Sequence, residues 1–565
     1  MDAGRATLTE ALDELCGRRA QLTDAIFRGQ FALWVGSGIS RERFQPVAAL
    51  MTRLVTSLAA HVDVTDPECP YRAALEKIAR HATTKCADFT NPPQAFIDQL
   101  CPHYSKVLEE DVHLAAGDRS LVFDVLDLPR MYSEPAVLPD AEHRFIALLV
   151  MEGVVPRILT TNWDGLIEAA YRDAQDGHAP PLPVVISPAD LDGVEPGPRL
   201  VKFHGCAVRA AKHPDAKQHF VATQKRINEW NMSEQFLAIR DEVRTAVRYF
   251  PALLVGLSAQ DVNIQMQFEQ AVVGREPWAT WAPSRAAFAQ AEAGEAQERI
   301  LKTLYGKHYA GANAGQIERA ATIGLYAKPL FGALYFELVF RKLLAICDAG
   351  QEAFTPEQLQ FVRAWLLNTQ NRIRDHYDRL PPSERWVRLS ECLPSHIAHA
   401  HGLYRHYRPI SRETAYVPVS RIQLGHPQGA PEDARALLCL AALSHGDTLG
   451  AWSAEPPRPG SDAFHAFLKI GLRQWRIVVV RDSLLAMHRL EASMLSAHAA
   501  ETVAVYPTGS RPRKRRRGLG ATLPSRGRSA GPYEVWFDEI ASEPYTPAQM
   551  VEELKLELLG LPHAP

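Results

Sequence analysis

Four short clusters of small and polar residues carry the chemistry open to this 565-residue chain, and each follows a short apolar run. Gly36-Ser37-Gly38-Ile39-Ser40 follows FALWV, and Thr160-Thr161-Asn162-Trp163-Asp164 follows PRIL. Lys202-Phe203-His204-Gly205 follows RLV, and Gly256-Leu257-Ser258-Ala259-Gln260-Asp261 follows PALLV. Glycine and serine let a backbone approach a pyrophosphate, and a helix N-terminus just beyond offers it free N–H groups. An amide, an imidazole and carboxylates can orient a polar ligand, move a proton and stabilise developing charge. Each cluster also has a purely structural reading. The first serves as a tight strand–helix turn, Asn162, Asp164 and Asp261 as helix caps, and His204 as a hydrogen-bonded core histidine. The three-glycine dinucleotide fingerprint is absent. What favours function is the order of the four and their shared place after strand candidates, because ligands of α/β sheets bind at the carboxyl ends of strands.

The elements that must position these clusters are legible as alternating patterns. Residues 7–29 read as a helix, with Leu8, Leu12, Leu15, Leu22 and Ile26 at helical spacing. FALWV, PRILTT, LPVVIS, RLVKF, HFVAT and PALLV read as short buried strands. Helical stretches stand between them, notably VAALMTRLVTSLAAHV, DGLIEAAYRDA and EQFLAIRDEVRTAVRY. The alternation predicts an α/β fold, a Rossmann-like doubly wound and mostly parallel sheet. Residues 276–315, rich in Ala, Gly and charge, read as a loop or insertion, and IGLYAKPLFGALYFELVFRKLLAIC as the segment that closes the first domain. The expected organisation is an N-terminal helix (1–29), a catalytic domain (30–345) and a mixed α/β C-terminal region (346–565). That last region holds strand candidates WRIVVV, ETVAVYP and YEVWF, and a basic loop over 507–531.

Composition narrows the class. Hydrophobic residues make up 46% and charged residues 22%, a globular balance, and a net charge of −3 gives no general attraction to nucleic acid. The eight cysteines form no C-x-x-C pair, so no zinc ribbon or redox motif is readable and a reduced, cytoplasmic protein is expected. No secretory leader and no run of 18 apolar residues is visible, so no membrane contact is expected. Arg511, Arg513, Lys514, Arg515, Arg516 and Arg517 form a basic run without interleaved aromatics, a solvated loop by preference and a phosphate-backbone contact as the alternative. His396, His399, His401 and His406 have no cysteine and only Glu391 nearby, so they read as a helix surface and no metal site is expected.

The four clusters, in this order across residues 30–265, resemble the sirtuin-like family, and within it the NAD-hydrolysing branch of bacterial anti-phage defence. Ser37 stands where that family usually has alanine. The resemblance implies NAD as substrate, with Gly36, Ser37, Gly38 and Ser40 cradling its phosphates and Thr161 beside them. It implies that Asn162 orients the nicotinamide ribose and the attacking water, that Asp164 contacts the carboxamide, and that His204 is the catalytic histidine at the ribose hydroxyls. Gly256, Ser258 and Asp261 would lie near the adenosine half. Protein-deacylating sirtuins carry a zinc module of two C-x-x-C pairs; this sequence has none, which favours water as acceptor and ADP-ribose as product. The alternatives are a non-catalytic NAD or ADP-ribose sensor, and a deacylase or ADP-ribosyltransferase. The resemblance further implies a homo-oligomer or a partner defence protein, such as a HerA-type ATPase or a short Argonaute, engaged by the C-terminal region.

Overall fold

The computed structural model describes residues 4–115, 117–175, 181–192, 197–405, 419, 431–455, 466–480, 502–509 and 533–560. Two compact units emerge, residues 1–172 with 180–334, and residues 335–565 with 173–179. The division at 334–335 precedes the expected boundary at 345 and falls inside the helix Ala327–Ala349.

The first unit is built on a six-stranded, all-parallel sheet. In chain order its strands are β1 (Ala32–Val35), β4 (Arg157–Thr160), β5 (Val184–Val185), β6 (Arg199–Lys202), β7 (Ala252–Val255) and β8 (Ala286–Phe288). The strands β2 (Asp111–Val112) and β3 (Arg119–Ser120) form a separate two-stranded ribbon. The order across the large sheet is β5-β6-β4-β1-β7-β8, so β1 is central and successive strands leave it on opposite sides. That reversal is the switch point at which α/β sheets open a crevice. Register then decides what faces it: Val255, Val35, Thr160 and Lys202 form one row along the carboxyl edge. All four chemical clusters therefore leave the sheet at the same level.

Every residue of β1 and β7 is buried, and burial on both faces selects continuous apolar runs over alternation. On one face Trp34, Leu159, Val201 and Leu254 pack with Trp230, Phe236, Val243, Phe268 and Leu301 from the covering helices. A second core gathers the helices Val47–Ala59, Pro70–Ala79 and Gln94–Leu100 around Leu54, Ile78, Phe96 and Leu121. Trp163, the middle residue of the Asn162–Asp164 turn, packs against that second core.

Three expectations are corrected. Residues 276–315 are not a loop: they supply β8 and the helix Glu295–Tyr305. Ala286, Ala287 and Phe288 are fully buried, and three residues, two of them alanine, give too weak a strand pattern to read. HFVAT is not a strand; Val221 N instead donates to His204 O at 3.0 Å, so the segment passes beside the histidine turn. The N-terminal helix is broken into Leu8–Leu12, a π-helical turn Asp13–Arg18, and Ala20–Phe27.

The second unit contains a five-stranded mixed sheet of β9 (Ser453–Glu455), β10 (Ala466–Ile470), β11 (Arg473–Val479), β12 (Thr502–Tyr506) and β13 (Tyr533–Trp536). Its order is β13-β12-β11-β10-β9, antiparallel through β9–β11 and parallel through β11–β13. The basic run at 511–517 and the side chains of the 396–406 histidines lie outside the described residues. Among the described residues no helix is long and apolar enough to cross a membrane, and no His/Cys/Asp/Glu group is arranged to hold a metal ion.

Candidate functional site

The site begins with how the turns fit together. Gly36 N donates to Val255 O at 3.0 Å and Gly38 N to Gly256 O at 2.9 Å, so the loops after β1 and β7 lie backbone against backbone. A Cβ on Gly36 would stand 2.4 Å from Gly256 O, and one on Gly38 2.7 Å from Gly256 Cα. Gly256 itself sits at φ 63°, where other residues are strained. These glycines therefore close the crevice floor. Ser37 and Gly38 are exposed at its rim, whereas Ser40 is buried and points inward.

The Thr160 hydroxyl links the central strands, donating to Val35 O at 2.8 Å and accepting from Asn162 N at 3.0 Å. Asn162 Nδ2 donates to Gly36 O at 3.2 Å and to Ser40 Oγ at 3.4 Å. A backbone carbonyl can only accept, so the amide has one permissible orientation, and Asn162 Oδ1 is left buried without a partner. Thr161, beside it, is half-buried.

Behind Ser40 stands His143, which the sequence reading missed. Asp140 N donates to His143 Nδ1 at 3.1 Å, which puts the ring proton on Nε2, and Nε2 donates to Ser40 Oγ at 3.1 Å. With His143 and Asn162 both donating to it, the Ser40 hydroxyl proton is free for a ligand. Burial drives the His143 pKa down to about 4, so the ring is neutral. Its signal in the sequence was its place: the third helical residue after Asp140, where a capping box usually has Glu or Gln. An unfolded histidine titrates near 6.5, so His143 leaves stability intact above that pH and withdraws it as pH falls toward 4. The withdrawal totals about 3 kcal/mol. His143→Gln, which suits the cap and does not titrate, should flatten this acid-side loss in chemical denaturation between pH 7 and 4.

Lys202, the first residue of the third cluster, has a structural role that its sequence context does not show. It is fully buried, and its ammonium donates to Glu168 Oε1 at 2.8 Å, to Trp163 O at 3.5 Å and to Asp164 O. Burial opposes its charge, yet Glu168 and the other acidic neighbours hold its pKa above the ordinary value. One cation thus ties β6, the Asn162–Asp164 turn and the helix Leu166–Gln175 together. Asp164 caps that helix, Oδ1 accepting from Leu166 N at 3.1 Å, so its structural reading is correct. Trp163 is held between Phe220 and Tyr132, ring centroids 4.8 and 5.4 Å away. Burial and the nearby Asp164 carboxylate push the Tyr132 hydroxyl up to about 12.

His204 leaves β6 beside this turn, its ring packed on Phe203 and Trp230. The turn is closed by Gly205 at φ 88°, where a Cβ would meet His219 O at 2.6 Å. His204 Nε2 is buried without a hydrogen-bond partner and lies 3.4 Å from Asp261 Oδ2. The structure thus sets Asp261 against the histidine. Ser258, expected at the adenosine half, lines a cleft of ≈ 770 Å³ beyond β7 and β8, with Gln260, Gln290, Gln297, Arg299 and Tyr326. The first, second and third clusters and Asp261 converge, while Ser258 faces the neighbouring space.

Residues 156–308 match the family model of the SIR2-like domain, and no curated protein matches the chain. The matched span runs from β4 to beyond β8 and contains the second, third and fourth clusters; the Gly36–Ser40 turn precedes it. The family uses NAD, so the match establishes a sirtuin-like domain with an NAD-related function.

Proposed function

We propose that this SIR2-like domain hydrolyses NAD at the nicotinamide–ribose bond. The observation that carries the reading is Asn162 Oδ1, buried without a partner beyond the end of β4, with the His204 imidazole beyond the end of the adjacent strand β6. A buried polar atom left unsatisfied costs about 1–3 kcal/mol, and a hydroxyl-rich ligand such as a ribose would satisfy it. In the reaction the C1′–N bond breaks, its electron pair leaves with the nicotinamide nitrogen, and C1′ develops oxocarbenium character. Asn162 Oδ1 orients the ribose and the attacking water, whose oxygen bonds to C1′. The neutral His204 takes up the proton released, and Asp164 faces the carboxamide. The exposed Ser37–Gly38 rim offers backbone to the phosphates, and the cleft at Ser258 has room for the adenosine.

Water is favoured as acceptor because the sequence contains no C-x-x-C pair from which to build a deacylase's zinc module. An unrestrained NAD hydrolase would starve its own cell. The activity therefore fits an effector of anti-phage defence that is quiet alone and released by assembly or by a partner at the C-terminal region. Incubating the purified chain with NAD, with and without an acetyl-lysine peptide, tests the reading by chromatography. Equal amounts of nicotinamide and ADP-ribose, indifferent to peptide and rising with protein assembly, are expected. Peptide-dependent O-acetyl-ADP-ribose would make it a deacylase, and intact bound NAD in every assembly state a sensor.

A further inference from the structure

We infer that Asp261 is the positioning residue of His204, the two forming a carboxylate–imidazole pair that fixes the histidine for proton transfer. The inference rests on the hydrolase reading for its chemistry but on geometry for the pair itself.

The carboxylate has a divided task. Asp261 Oδ1 accepts from Asn263 N at 2.8 Å and caps the helix Val262–Val272. The other oxygen, Oδ2, is thereby aimed at His204 Nε2, 3.4 Å away. The loop that delivers it is held at three points. Gly38 N donates to Gly256 O at 2.9 Å at its start, Gln265 Nε2 donates to Ala259 O at 2.8 Å in its middle, and the Asn263 bond closes its end. Ala259 is buried and adopts φ 58°, a left-handed conformation costly for a residue with a Cβ. Strain of this kind persists where surroundings over-determine it, and here it serves to place one carboxylate.

The surroundings of the ring leave Asp261 as the charged group that acts on it. Phe203 of β6 and Trp230 of the helix Gln224–Met232 contribute aromatic faces. Beyond Asp261 stands Tyr104, whose hydroxyl burial and Asp261 keep in the neutral form. Burial lowers the pKa of His204 and the Asp261 carboxylate opposes that. Removing the carboxylate must then lower the His204 pKa further, and a base that works in its neutral form would reach full activity at lower pH.

Asp261→Asn separates the pair from the cap, because asparagine caps a helix as well as aspartate does. In the full chain, D261N should keep the wild-type Tm, whereas D261A should lose the cap as well. The His204 imidazole, followed by NMR and assigned with H204Q, should titrate at lower pH in D261N than in wild type. The acid limb of kcat/KM for NAD should move the same way, with kcat down at least about tenfold and KM little changed. An unmoved His204 titration overturns the pair, whatever the activity. A titration that moves in a chain with no NAD turnover retains the pair and removes the hydrolase reading.

Discussion

His204→Ala and Asn162→Ala should each cut NAD cleavage by about 10²–10⁴-fold while the protein stays folded. Asn162 Oδ1 has no hydrogen-bond partner in the protein, and His204 Nε2 makes no hydrogen bond and meets only the Asp261 carboxylate 3.4 Å away, so the fold gains little from either. Asn162→Ala does remove the Nδ2 bonds to Gly36 O and Ser40 Oγ, both longer than 3 Å, a loss of about 1 kcal/mol. His204→Ala gives up ring contacts with Phe203 and Trp230 at the edge of the core. Stability should therefore fall modestly and activity steeply, because the polar atoms act on a ribose in its transition state. Steady-state cleavage measured beside thermal unfolding separates the two effects. Wild-type turnover in both variants would remove these residues from the reaction.

Lys202→Met should cost about 3–5 kcal/mol of folding stability, the largest single effect expected away from the reacting atoms. The substitution leaves Glu168 with no cation and Trp163 O and Asp164 O without their shared donor. Breaking a buried pair from one side is the expensive route; removing both charges is cheap by comparison. Lys202→Met combined with Glu168→Gln should then recover a large part of the loss, a positive coupling in a double-mutant cycle read by chemical denaturation. Additive losses would show that the lysine acts by packing alone. Since the same ammonium fixes the turn carrying Asn162 and Asp164, the single variant should also bind NAD more weakly.

The sheet and its crevice were legible because apolar runs ending in Gly36, Asn162, His204 and Gly256 recur at strand–helix spacing. Parallel register needs no more than that to bring them to one edge. β8 was not legible: Ala286 and Ala287 carry little strand preference, and their burial comes from β7 and the helices above, a tertiary override of local propensity. HFVAT misled for the opposite reason, since a buried segment beside a turn has a strand's composition without a partner strand. In the site, Asn162, Asp164 and His204 stood out by type. His143 did not, because it lies far from any cluster in sequence and meets Ser40 only through the helix Ala141–Met151. Lys202 was visible as a charge ending a buried strand, which in an apolar sheet demands a partner, and Glu168 four residues beyond Asp164 supplies it. Asp261 was legible as a cap, but its second task depends on the loop conformation at Ala259, which no local pattern announces.

Turnover of NAD in heavy-oxygen water, with products weighed by mass spectrometry, tests the central claim most directly. The wild-type chain, assayed across a wide range of protein concentrations, should give nicotinamide and ADP-ribose carrying one heavy oxygen at C1′. His204→Ala should give neither above background. ADP-ribose without the heavy label, or NAD left whole in every assembly state that binds it, would contradict hydrolysis by this site.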